Sequence, residues 1–175
     1  MSGAAVASVE RVAVVPIDRE LLAEVTQFIY REARLQDDHC YDAWEALWTD
    51  DGIYWIPANG EGGDPEQEMS IVYDNRSRIA LRVAQFHTGK RFSQTPRSRL
   101  RRIVSNIEIL SIDGMGQVVV TSNAMVFESG RRGDTIWASR NEYKLRREGE
   151  ALRMALKKVV LVNNQTALYS MAFLI

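Results

Sequence analysis

The sequence predicts an α+β fold in which three N-terminal helices pack in a curved antiparallel β-sheet. Three observations carry this. Before residue 90, apolar side chains recur every three or four residues in three short blocks, the period of amphipathic helices. After residue 97 the period falls to two, in four long stretches rich in Val, Ile and Leu. Each stretch is parted from the next by a glycine-containing break, and helices followed by a run of strands is an α+β order rather than an alternating one.

In chain order, residues 1–17 read as an N-terminal arm and 18–175 as a single domain. Asp18 is a candidate N-cap, with Glu20 in the first turn where the helix dipole favours an acid. Leu21, Leu22, Val25, Phe28, Ile29 and Ala33 then line one face of a helix of about five turns. Asp37 and Asp38 end it and are placed to cap a second helix, whose apolar face is Tyr41, Trp44, Leu47 and Trp48. Thr49-Asp50-Asp51-Gly52 has turn chemistry, and Ile53–Ile56 is strand-like until Pro57. Residues 58–68 form an acidic, glycine-rich loop. A short extended run, 69–73, leads to a third helix capped by Asp74 or Asn75. It buries Ile79, Val83 and Phe86, turns Arg76, Arg78 and Arg82 outward, and ends at His87-Thr88-Gly89. Breaks at 113–116, 130–133 and 148–150 then mark three hairpins. Within 136–145, Trp137, Ser139, Asn141, Tyr143 and Leu145 alternate with Ile136, Ala138, Arg140, Glu142 and Lys144. Residues 168–175 are too apolar for a solvated end.

Composition narrows the function. A single cysteine, Cys40, precludes an intrachain disulfide and makes a cytoplasmic setting the expectation. No run approaches the ~18 apolar residues of a transmembrane helix, and the first residues lack the charged start of a signal peptide. Charge is segregated: residues 1–74 hold 16 acids against 4 bases, and residues 75–107 hold 9 bases and no acid. A basic block with only Phe86 and Phe92 interleaved is thin for a nucleic-acid binder. It suits internal pairing or docking between subunits.

Chemistry-bearing motifs are few. There is no glycine-rich phosphate loop, GxSxG elbow or Cys-x-x-Cys pair. One cysteine is too few for an iron–sulfur cluster or a thiolate zinc site within one chain. His39 and His87 are the only histidines, and their spacing does not suggest a facial iron triad.

The order Phe28-Ile29-Tyr30-Arg31-Glu32-Ala33, Leu35, Asp37, Trp44, Leu47, Asp51, Tyr54-Trp55, Pro57 resembles the small (β) subunits of aromatic-ring-hydroxylating dioxygenases. Asp74 with its arginine-rich helix, Thr88-Gly89, the 96–102 stretch, Val104–Glu108 and Lys157–Leu161 agree, so the resemblance runs from about residue 20 onward. It implies an NTF2-like (cystatin-like) cone and a non-catalytic role beside a larger α subunit, commonly in an α3β3 hexamer. The α subunit would hold a Rieske [2Fe–2S] cluster and mononuclear Fe(II). It would oxidise an aromatic ring to a cis-dihydrodiol, with electrons from NAD(P)H through a reductase. No cofactor, metal, nucleic acid or membrane is expected on this chain itself.

Two rival readings stay open at this stage. The same fold hosts dehydratases and isomerases, in which His87 would act as general base, Asp37 would orient it and Tyr30 would share the pocket. The other rival is a small-ligand-binding module. Against catalysis, His87 also suits a helix C-terminus, His39 a surface position, and Tyr30 and Trp44 a core or interface. For subunit contacts the candidates are the arm, the 58–68 loop, Arg97, Arg99, Arg101, Arg102, Phe173, Leu174 and Ile175. Arg97, Arg99 and Arg101 would share one sheet face, where such a row calls for an acidic partner.

Overall fold

The computed structural model describes residues 18–89 and 96–175, so the 1–17 arm lies outside the described residues. Helix α1 (Arg19–Asp37) starts where expected. Asp18 Oδ1 accepts from the backbone N–H of Glu20 and Leu21 at 3.0 and 3.1 Å. Its inner face carries Val25, Phe28, Ile29 and Ala33, together with two polar residues, Glu32 and Gln36. The chain then reverses through His39 in the left-handed region (φ 55) into α2 (Tyr41–Glu45). Neither aspartate caps α2: its N-cap is Cys40, and no side chain supplies the bond. Helix α3 (Arg76–His87) is capped by Asn75 and buries Ile79, Val83 and Phe86. Of its arginines only Arg78 is turned to solvent as expected. Arg76 pairs with Glu45 at 2.7 Å and Arg82 with Asp74 at 2.6 Å.

Six strands form one sheet: β1 (Trp48–Pro57), β2 (Ser70–Asp74), β3 (Arg99–Ile112), β4 (Val118–Gly130), β5 (Gly133–Glu148) and β6 (Ala151–Leu161), in the order β2-β1-β6-β5-β4-β3. The three hairpins fall where the glycine breaks place them. Gly133 and Gly149 have φ of 100° and 61°, conformations that a Cβ would strain. The sheet departs from the expectation in one pairing, because β1 runs parallel to β6 while the other four strand pairs are antiparallel.

The predicted turn at 49–52 is a bulged stretch of β1, and Trp48 belongs to that strand and not to α2. Gly52 is needed there for space rather than reversal: a Cβ would sit 2.8 Å from Trp48 Cε3 and 3.1 Å from the Thr49 carbonyl. Thr49 Oγ1 donates to the Met154 carbonyl at 3.2 Å, binding the irregular segment to β6.

Two further bulges set which side chains face the helices. On β3 the inward positions are Leu100, Arg102 and Val104 before Asn106 (φ 53), and Ile107 and Ile109 after it. On β6 the register slips at Ala155, so Leu152 and Met154 face in before it, and Lys157, Val159 and Leu161 after. Val25, Ile29, Trp44, Tyr54, Tyr143, Met154, Leu174 and Ile175 are members of one hydrophobic cluster.

Candidate functional site

A cone of helices and sheet can hold a site at its centre, and at its centre this chain holds a polar network. Glu32 and Gln36 are one turn apart on the inner face of α1. Opposite them the Ala155 bulge turns Lys157 inward and Lys158 outward, where Lys158 lies over the Trp55 ring. Lys157 Nζ donates to Glu32 Oε1 at 2.8 Å and to Gln36 Oε1 at 3.3 Å. Trp44 Nε1 donates to the same Glu32 oxygen at 2.8 Å. Gln36 Nε2 and the Tyr54 hydroxyl donate to the Ile175 backbone oxygen at 3.2 and 2.6 Å.

Glu32, Gln36 and Lys157 are each 1% exposed. Burial pulls the Lys157 ammonium below its ordinary pKa, and the Glu32 charge works against that fall. Burial also drives the Tyr54 and Tyr143 hydroxyls upward, Tyr143 well above the ordinary range. A general acid or base must reach a substrate atom directly or through one water. These groups reach each other, with the buried Trp44, Tyr54 and Tyr143 side chains in the same core cluster.

The candidate catalytic residues are not assembled. His87 Nε2 is 2.7 Å from Asp42 Oδ1 on an open surface, Tyr30 is exposed, and Asp37 is taken up by an arginine. His87 and Asp37 have different partners, so the two do not form a dyad in this geometry. His39 is half-buried rather than on the surface, its ring nitrogens 2.7 Å from the Tyr41 hydroxyl and 2.9 Å from the Ser98 carbonyl. Among the described residues no three His, Cys, Asp or Glu side chains cluster as metal ligands would.

Several interface candidates also turn out to be structural. Arg102 faces inward, its side chain 3% exposed, and ties β3 to two other segments. Its Nη1 donates to Asp37 Oδ1 at 2.7 Å, its backbone N–H donates to Asp37 Oδ2 at 2.8 Å, and its Nη2 donates to the Leu174 carbonyl. Phe173, Leu174 and Ile175 are buried in this chain's own core, with Phe173 edge-on to Trp137 at 5.9 Å. Arg97 precedes β3 and lies over the Tyr41 ring at 5.8 Å, and it lines one shallow hollow together with Arg99 and Arg101.

What remains exposed is a two-part outer face. Arg99 and Arg101 point outward at the start of β3, and on the same face Ile103 sits beside Met125, and Phe127 beside Ile136. A separate groove of about 570 Å³ opens beside residues 164–174. Among the described residues its one charged lining residue, Arg82, already holds Asp74.

Sequence reasoning missed the Glu32–Lys157 pair. The available signal was Glu32 and Gln36 falling in phase with Val25, Phe28 and Ile29 on a face that should be apolar.

Comparison with known proteins agrees with this geometry. A family model described as ring hydroxylating beta subunit matches residues 31–167. The small subunit of anthranilate 1,2-dioxygenase from Acinetobacter baylyi is 31% identical over 152 residues, covering 83% of this chain and 92% of that protein. The crystal structure of the β subunit of benzoate 1,2-dioxygenase from Burkholderia mallei superposes with a TM-score of 0.69 at 28% identity, covering 86% of this chain and 95% of that one. A chain of naphthalene 1,2-dioxygenase gives a TM-score of 0.73 at 19% identity, covering 85% of this chain and 82% of that one, which speaks to the fold alone. The architecture is the NTF2-like cone, and this chain belongs to the ring-hydroxylating β-subunit family.

Proposed function

We propose that this chain is the non-catalytic β subunit of a multicomponent Rieske-type dioxygenase that cis-dihydroxylates an aromatic substrate. Residues 18–175 would act as one domain in a cytoplasmic heterohexamer of three α and three β subunits. The α subunit would carry the Rieske [2Fe–2S] cluster and the mononuclear Fe(II), and a reductase would deliver electrons from NAD(P)H. The observation that supports this most directly is the self-satisfied polar centre of the cone. Glu32, Lys157, Gln36 and Trp44 satisfy one another at its centre, and Leu174 and Ile175 pack there. What the chain offers to a partner is its surface: the arginine-flanked outer sheet face and the exposed acidic loop. No helix among the described residues is long and apolar enough to cross a membrane.

The test is co-purification. A tagged copy expressed with its native partners is expected to bring down a larger subunit carrying iron and the activity, while the chain purified alone has neither. Stoichiometric iron or turnover in the isolated chain overturns the reading.

A further inference from the structure

The groove beside residues 164–174 has the make-up of a small-molecule site. Its volume of about 570 Å³ falls within the range of such sites, which are apolar hollows with a few fixed polar groups. Tyr54, Phe173 and Leu174, buried members of the core cluster, line its inner side. Towards solvent, Val72, Leu168 and Met171 continue the apolar wall, each only partly buried. The rim is held in place by one buried side chain. Asn164 Oδ1 accepts from the Gly60 N–H at 2.9 Å, and its Nδ2 donates to the Gly60 and Pro57 carbonyls at 2.6 and 3.2 Å. The turn after β1 and the segment after β6 are thereby tied together before any ligand arrives.

The chemistry of the ligand follows from Arg82. Its Nε donates to Asp74 Oδ2 at 2.6 Å, and Asp74, buried at the end of β2, is not itself a lining residue. The acid therefore fixes the guanidinium plane from outside the groove. The two terminal amino groups of Arg82 make no hydrogen bond among the described residues. A planar fork held by one edge, with its terminal donors unused, suits a carboxylate. A phosphate dianion suits it less, because Arg82 is the one cation among the described lining residues and Asp74 offsets its charge. We propose that this groove binds a small monocarboxylate, its carboxylate accepting from Arg82 and its apolar body lying against Val72, Leu168, Met171 and Phe173. The inference goes beyond the subunit reading and does not depend on it, since every group it uses belongs to this chain.

The experiment titrates the full chain with benzoate and octanoate, and with benzamide and octanamide as their neutral counterparts, by calorimetry and nitrogen-15 NMR. At least one acid should bind at a single site with a Kd of about 1 mM or tighter, shifting the signals of Arg82 Nε–H and of residues 168–174. Binding of benzoate alone assigns an aromatic body, and binding of octanoate alone an aliphatic one. The matching amide should bind about 10-fold more weakly, because hydrogen bonds between charged partners are the stronger ones. Arg82→Gln keeps a donor for Asp74 and should erase the preference for acid over amide. Ile71→Trp adds bulk at an exposed lining position, leaves the ion pair intact and should block both acids. Circular dichroism confirms that each variant is folded. Failure of both acids to saturate overturns the inference, as does equal affinity for acid and amide. A folded Arg82→Gln that keeps the preference also overturns it, and so does unchanged binding in Ile71→Trp.

Discussion

Replacing Lys157 with Met isolates the energetics of the polar centre. The substitution keeps most of the side-chain volume, so the cavity penalty is small. It leaves the Glu32 carboxylate, 1% exposed, with the Trp44 indole at 2.8 Å as its remaining donor, and it leaves Gln36 Oε1 without its ammonium. Breaking a buried pair by removing one partner costs about 3–5 kcal/mol. The Gln36 bond adds about 1 kcal/mol. Set against a total stability of roughly 5–15 kcal/mol, the single variant should unfold at a much lower urea concentration. The double variant Glu32→Gln/Lys157→Met removes both charges, keeps an oxygen for the Trp44 indole, and supplies an amide that can donate to Gln36. It should recover about 2 kcal/mol or more of the loss. Urea titrations followed by tryptophan fluorescence and near-ultraviolet circular dichroism, arranged as a double-mutant cycle, read both values. A cost below about 1 kcal/mol for Lys157→Met, or a coupling near zero, would refute the claim that this pair is desolvated and mutually dependent.

Two further predictions concern two other ion pairs. Arg102→Ala uncouples α1, β3 and the 173–175 segment and strands Asp37, so it should cost about 3 kcal/mol or more in the same titration. The Asp51 carboxyl, held by the Arg146 guanidinium and then by Thr49, titrates at about 2 instead of 3.8. A carboxyl whose folded value is depressed contributes stability above its unfolded pKa and loses it as pH falls towards 2. Arg146→Ala should return the Asp51 titration, followed by carboxyl-carbon NMR, towards the ordinary value.

Much of the fold is legible from local signals. In β5 the alternation Trp137 to Leu145 emerges residue for residue as the buried face, because both sides of a hairpin are specified by one short window of sequence. Helices α1 and α3 are equally plain, since cap and periodicity agree. The failures are non-local. Thr49 to Gly52 has the composition of a turn, but its fate is decided by a strand about a hundred residues downstream, whose Met154 carbonyl holds Thr49 in the sheet. Lys157 and Lys158 are indistinguishable in sequence, and only the Ala155 bulge sends the first inward. Arg102 belongs to a basic run and looks like surface until the strand parity is known. The tail was legible as apolar, but not as a plug for its own core.

The parallel pairing of β1 with β6 also has a kinetic consequence. Strands β3 to β6 zip together through three short turns, each closing at small entropic cost. Thr49 and Met154, by contrast, are 105 residues apart, so β1 can dock only after a long loop has closed. Until it does, β6 is an unprotected edge able to pair with another nascent chain. A protein built this way is most vulnerable to aggregation in the interval between completing its meander and recruiting its first strand.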